Sequence, residues 1–229
     1  VLGITLGIKN NKYKVLSEDD KKYIETIKQL KQEENDLNIQ ISNKNNELSN
    51  INNKICREVK DKNLYRIVNG LYDTNGDTSA YLLASSIYGP SYISFEYALS
   101  YYGLIPERVN AVTCATFNKK KRKIYNNHFG TFSYEDVPPR AFPYEIILKQ
   151  EGNYSFIMAT AEKALCDKLY SLKPLNNLKN MQIMLFDDLR IDEEEFYNLD
   201  VSKIEKLSEL YHSTNVSLLA KFLRRNKNE

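Results

Sequence analysis

Residues 17–60 read SEDDKKYIETIKQLKQEENDLNIQISNKNNELSNINNKICREVK, a stretch with neither Gly nor Pro. Its apolar residues fall on a heptad. Ile27, Ile41, Leu48 and Ile55 occupy one seam position, and Tyr23, Leu30, Leu37 and Ile51 occupy the other. Glu34 and Lys44 interrupt the seam. A period of this kind, sustained over several heptads, predicts a coiled-coil helix. Ser17 followed by Glu18, Asp19 and Asp20 supplies a cap and places acids at the positive end of the helix dipole. So polar a helix cannot hold together alone and needs a partner. The reading favours a second copy of the chain, which makes Ile27, Leu30, Leu37, Ile41, Leu48, Ile51 and Ile55 dimerisation residues. The alternative is an intrachain hairpin, with its turn in the Asn-rich stretch Ser42 to Asn46.

Outward from this helix the texture changes on both sides. Residues 1–16 are short and apolar-to-basic, and with Lys9, Lys12 and Lys14 they are a candidate truncated helix-turn-helix. The chain opens on Val1 rather than Met, which leaves its natural start open. Residues 61–229 hold all 6 prolines and nearly all the aromatic residues, so the main core belongs there. Within them, Leu64–Val68 and Leu71-Tyr72 flank Asn69-Gly70, a strong hairpin signal. This wing-like hairpin, residues 61–78, carries Lys62, Tyr65 and Arg66, with Lys60 just before it. Residues 79–88 and 94–102 read as helices separated by Gly89-Pro90, with Gly103 as a left-handed terminator of the second. Strand-like runs follow at 109–117, 123–125, 130–134, 144–149 and 154–158. A helix is expected over 160–172, and further helices over 192–198, 201–213 and 216–225. The sum is an α+β fold: a long N-terminal helix, then a domain at 79–229 with an antiparallel-leaning sheet flanked by helices.

Composition narrows the function. Lys+Arg at 32 nearly balances Asp+Glu at 30, so any nucleic-acid surface must be a local patch. The candidate patch is Lys119-Lys120-Lys121-Arg122-Lys123, read as a hairpin tip able to reach phosphates; a solvated loop is the plainer reading. Lys221, Arg224, Arg225 and Lys227 form a second basic group, at a helix end where the dipole favours cations anyway. The cysteines Cys56, Cys114 and Cys166 lie far apart, and the only histidines are His128 and His212. Neither a zinc site nor a disulfide framework is expected, and the cysteines read as small buried residues in a reducing cytosol. No cofactor is implied. No apolar run reaches membrane-spanning length. There is no phosphate loop, GxSxG or HExxH. The acidic groups Asp187-Asp188 and Asp192–Glu195 read as a solvated face, and Lys163 with Asp167 as a surface ion pair. Catalysis is not expected.

The stretch from Pro90 to Glu107, PSYISFEYALSYYGLIPE, resembles the AbiEi antitoxins of the AbiE (type IV) toxin–antitoxin systems, which act in abortive phage infection. Further similarities follow in order: Val112-Thr113-Cys114-Ala115-Thr116, then Phe129–Tyr134, then Ala159–Tyr170 with its Glu162-Lys163-Ala164-Leu165. The hairpin at 65–72 is similar to the end of that family's DNA-binding wing. The resemblance covers roughly residues 60–172. It implies a winged helix that binds repeats in the protein's own promoter. It also implies a C-terminal domain that assists repression and neutralises a nucleotidyltransferase-like toxin. Tyr92, Ser94, Tyr101, Tyr102, Glu162, Lys163 and Asp167 are the motif residues available to the domain or to a partner. In the helix from Thr160, Ala161, Ala164, Leu165, Cys166 and Leu169 are expected to be buried, leaving Glu162, Lys163 and Asp167 toward solvent or a partner. No catalytic residue carries over. Two features depart from the family: Ala161 stands where a proline is expected, and the heptad helix replaces much of the compact winged helix. The expectation is a dimeric, cytoplasmic antitoxin and autorepressor binding promoter DNA. The alternative is a coiled-coil dimer that does not bind DNA and acts through a protein partner.

Overall fold

A computed structural model describes residues 17–226. The chain divides into two units, one ending at Glu58 and the other beginning at Val59. The candidate helix-turn-helix at 1–16, with Lys9, Lys12 and Lys14, lies outside the described residues, as does Lys227.

The described residues of the first unit form helix α1, Glu18–Lys60, whose last two residues fall in the second unit. Ser17 and Asp20 cap it reciprocally: the Asp20 amide donates to Ser17 Oγ at 3.1 Å, and the Ser17 amide donates to Asp20 Oδ2 at 3.1 Å. This is the capping-box arrangement, with Asp in the Glu position. At 1.5 Å per residue the helix runs to about 65 Å. It continues unbroken through Ser42–Asn46, so the hairpin turn offered for that stretch does not form. Asn is a weak helix former, but without Gly or Pro nothing in the stretch breaks the ladder. α1 buries none of its residues. Ile27, Leu37 and Ile41 are each more than half exposed, at 51%, 57% and 57%.

The second unit opens with the hairpin β1 (Tyr65–Val68) and β2 (Leu71–Asp73), turning at Asn69-Gly70 with Gly70 at φ +82°. Helix α2 (Ala80–Ile87), strand β3 (Tyr92–Ile93) and helix α3 (Phe95–Tyr101) follow. α3 ends as its sequence predicts. Gly103 sits at φ +74°, its amide donates to Ser100 O at 3.1 Å, and the Leu104 amide donates to Leu99 O at 2.9 Å. That pair of bonds is the Schellman motif, and buried Leu104 completes its apolar contact.

Strands β4 (Val112–Thr116), β5 (Lys123–Asn127), β6 (Gly130–Asp136), β7 (Ile146–Glu151) and β8 (Tyr154–Ala159) join β3 in one sheet, ordered β5-β6-β4-β3-β8-β7. The β5–β6, β3–β4 and β7–β8 pairs are antiparallel, while β4–β6 and β3–β8 are parallel. The sheet is therefore mixed. One expectation changes with it. β4 and β5 are not neighbours, because β6 lies between them, so 119–123 is not the tip of a hairpin. It is a crossover that carries the chain past the position β6 will fill.

The helices α4 (Ala161–Ser171), α5 (Leu178–Ile183), α6 (Glu193–Asn198), α7 (Val201–Tyr211) and α8 (Thr214–Asn226) complete the unit. A π-helical turn, Met184–Asp188, extends α5. α4 packs on α3, β8, α7 and α8. α8 presents Val216, Leu219, Ala220 and Leu223 inward, the spacing of a helix with one apolar stripe. No helix among the described residues is long and apolar enough to cross a membrane.

Candidate functional site

Two of the motif stretches meet inside the second unit. Tyr92 and Ser94 lead into α3, and Lys163 and Asp167 lie one turn apart on α4. All four side chains are buried. Ser94 Oγ donates to Asp167 Oδ2 at 2.6 Å, and Tyr92 Oη donates to the same oxygen at 3.1 Å. Tyr211, at the end of α7, donates its hydroxyl to Asp167 Oδ1. Lys163 Nζ donates to Ala141 O and to Tyr211 Oη, each at 2.7 Å, and stands 3.6 Å from Asp167 Oδ1. The ammonium also lies 4.6 Å from the centre of the Tyr211 ring.

This overturns the surface ion pair expected for Lys163 and Asp167, and the solvent-facing place expected for Glu162. Helical periodicity identified the polar stripe of α4 correctly. The stripe, however, faces α7 and the Ala141 turn instead of water, because α4 is packed on several sides at once. Glu162 is 8% exposed and accepts from the Asp200 amide at 3.2 Å, the N-cap residue of α7. Its other oxygen is 3.9 Å from Lys203.

Burial drives the electrostatics. It pushes the Asp167 carboxyl up, against the pull of Lys163 and of its hydroxyl donors. It pushes the Lys163 amine down, against the attraction of Asp167. Tyr92 and Tyr211 are raised well above the usual phenol range by burial and by the neighbouring carboxylate, so both remain donors. Every charge and hydroxyl named here has a hydrogen-bond partner, the condition under which a buried charged pair is tolerated. The network joins β3, α3, α4 and α7, and its side chains are buried.

Two of its neighbours had no sequence signal. Tyr211 reads as an ordinary helix-end aromatic. Asn215 is one of many asparagines in the chain, yet its side chain is buried and accepts from the Leu175 amide at 2.7 Å. It also donates to Leu169 O at 2.9 Å and Lys173 O at 3.0 Å, tying the exit of α4 to the start of α8.

Of the other motif tyrosines, Tyr102 donates its hydroxyl to Ala159 O at 2.9 Å, and burial pushes its pKa up to about 12. Tyr101 is 52% exposed and stacks edge-on against Tyr102, with Lys149 Nζ 5.3 Å from its ring centre. It is the motif aromatic most open to a partner.

The basic residues separate into free and engaged groups. Lys120, Lys121, Arg122 and Lys123 are exposed, as are Lys60, Lys62 and Arg66, the last engaged with the Tyr72 ring at 5.9 Å from its centre. Lys119 is spent within the fold: its Nζ donates to Gly89 O at 3.0 Å and lies over Tyr88. The loop itself is fixed by Asp136, whose Oδ2 accepts the Lys119 and Lys120 amides, each at 2.7 Å. Tyr65 packs its ring on His128, 4.8 Å between centres, and so serves as a hairpin anchor. Asn127 Nδ2 donates to Ile67 O at 3.1 Å, so the hairpin touches β5 at the end far from Lys123. Four residues of strand, about 13 Å, separate the two ends. Arg66 and Lys123 thus lie toward opposite ends of β5.

A cleft of about 240 Å³ is lined in part by Glu96, Arg122, Glu135, Lys168 and Ser171. Lys168 pairs with Glu96 there. Two cations face two carboxylates, so the cleft has no net charge with which to select an anion. Cys114, also on its wall, is held protonated by burial. Among the described residues, no group of three or more His, Cys, Asp or Glu could hold a metal ion. No family model, no curated protein and no solved structure matches this chain.

Proposed function

We propose that this protein is an AbiEi-like antitoxin and transcriptional autorepressor of a phage abortive-infection operon, acting in the cytoplasm as a dimer and without catalysis of its own. The observation that carries the reading is the adjacency of the stretches that bear the resemblance. Tyr92 and Ser94 from one stretch satisfy Asp167 from another, 75 and 73 positions away. The similarity is thus spread over residues that form one packed unit. Its functional partners on this reading are its own promoter DNA and a nucleotidyltransferase-like toxin. Exposed Lys60, Lys62 and Arg66 at the hairpin, and exposed Lys120, Lys121, Arg122 and Lys123 on the crossover, are the side chains available for phosphate contacts. The dimer forms through the coiled-coil seam of α1.

The test is fluorescence anisotropy on DNA from upstream of its own gene against a scrambled duplex, at two salt concentrations. The reading expects preference for the upstream DNA. It also expects log affinity to fall by about 0.9 per log unit of salt for each phosphate neutralised. Equal or absent binding to both duplexes removes the repressor function.

A second reading is favoured by the engagement of Lys119 and Tyr65 within the fold and by the split of the basic groups to opposite ends of β5. On it the protein is a coiled-coil dimer that does not bind DNA, and it acts through a protein partner. Exposed Tyr101 would then belong to the docking surface.

A further inference from the structure

The apolar seam of α1 carries two charged residues, and their placement is informative. Glu34 occupies the seam position of Ile27 and Ile41, and Lys44 the position of Leu37 and Ile51. In a parallel, in-register pair each would meet its own copy, Glu34 against the partner's Glu34 and Lys44 against the partner's Lys44. Like charges stacked inside a seam oppose association.

We infer that two copies of α1 pair antiparallel about Ile39, with Glu34 of each copy against the partner's Lys44. The inference rests on the coiled-coil dimer of the preceding reading and fixes its direction and register. In antiparallel coils the two seam positions face each other, and here every layer from Tyr23 to Ile55 then matches, while the end layers set Asp20 against the partner's Glu58. Tyr23 meets the partner's Ile55, and Ile27 meets the partner's Ile51. Leu30 meets the partner's Leu48, and Leu37 meets the partner's Ile41. Twofold symmetry repeats each layer. A slip of one heptad in either direction destroys the match. One slip sets Glu34 against the partner's Ile51, and the other sets it against the partner's Leu37. Ile39 is also the midpoint of the helix Glu18–Lys60, so this register overlaps the two helices over their whole length.

The exposures agree with an uncovered seam. Leu30, Leu48 and Ile51 are 58%, 56% and 50% exposed in the single chain. Of the flanking residues, Glu33 comes within two residues of level with the partner's Glu47. That like-charge approach is moderated by Lys44, which lies 2.7 Å from Glu47 in its own chain. Charge complementarity in the seam therefore names the occupant: a second copy of this helix, head to tail.

The full-length chain tests this with two single-cysteine seam variants, L30C and L48C, each in a C56S background. Cys114 and Cys166 are buried and do not interfere. The variants are mixed and oxidised. The expected product is a mixed disulfide dimer between position 30 of one and position 48 of the other, with little cross-linking in either variant alone. Efficient self-cross-linking of each variant in isolation overturns the antiparallel register while leaving a coiled-coil dimer standing. A monomer mass for the unaltered chain by light scattering overturns both.

Charge reversal gives an independent measurement. E34K sets lysine against the partner's Lys44 in both layers, and the dimer dissociation constant rises on the order of tenfold. E34K with K44E restores the match and the affinity. In a parallel pair E34K merely exchanges one like-charge layer for another, so an unchanged dissociation constant for E34K also overturns the inference.

Discussion

Helices α1 and α4 each carry a lysine within one turn of a carboxylate, and the two pairs have opposite surroundings. On α1, Lys21 sits 2.5 Å from Glu18, with side chains 55% and 88% exposed. On α4, Lys163 and Asp167 are both fully buried. The apolar residues invert in the same way: α1 leaves Ile27, Leu30 and Ile41 in water, while α4 hides Ala164, Leu165 and Leu169. The contrast teaches that a helical pattern identifies faces and is silent about what covers them. On α1 the exposed face is apolar. On α4 even the polar face is covered, and the fold must supply Tyr92, Ser94, Tyr211 and Ala141 O to satisfy it.

The sharpest way to break this contrast is Lys163→Met. It leaves Asp167 buried without its cation, and the second unit should lose about 3–5 kcal/mol against denaturant. The loss has a pH signature. Asp167 is already raised in the folded state, and without Lys163 it is raised further. The folded state then binds a proton that the unfolded state has released. Stability therefore falls as pH rises from the ordinary carboxyl range through the raised pKa. The penalty of Lys163→Met should be smaller near pH 4 than at pH 7. Asp167→Asn reverses the sense. The lysine pKa is depressed by burial, so stability falls as pH drops through the window between the ordinary lysine value and the depressed one.

On the α1 side, replacing Ile41 and Leu48 with Asp should convert a dimer to a monomer by light scattering, while the melting of the second unit stays where it was. An unchanged mass removes the seam from the account. Smaller is Asn215→Ala, which strands the Leu175 amide and takes a donor from the carbonyls of Leu169 and Lys173. It should cost about 1–3 kcal/mol of unfolding free energy by denaturant titration. Smallest is Lys21→Ala, which removes an exposed pair and should shift the melting temperature by less than about 1 °C. A large loss there would mean that α1 is not the solvated helix described.

Much of the fold was legible because its signals are local. The helical pattern of 17–60, the Asn69-Gly70 turn and the Gly103 terminator act within a few residues, and the helix, the hairpin and the helix end formed where they were expected. The strand order was not legible. Whether β5 sits beside β4 or beside β6 depends on which edges meet across the sheet, and no residue near Lys119 records it. β3, only two residues long, has no period to read. The π turn at 184–188 lacks Gly or Pro to mark it. For the site, the sequence supplied Tyr92, Ser94, Lys163 and Asp167 but assigned the last two to the wrong environment. Desolvation of α4 depends on α7 and α8, which come some forty residues later in the chain. Tyr211 and Asn215 gain their roles only from that docking.

The distribution of the thiols gives the molecule a built-in clock. Cys56 is exposed on α1, while Cys114 and Cys166 are buried and held protonated by that burial. A thiol-reactive dye in native buffer should therefore modify one position at once and the other two only when the second unit opens. The slow phase counts openings of the sheet domain one by one, and it needs no engineered probe.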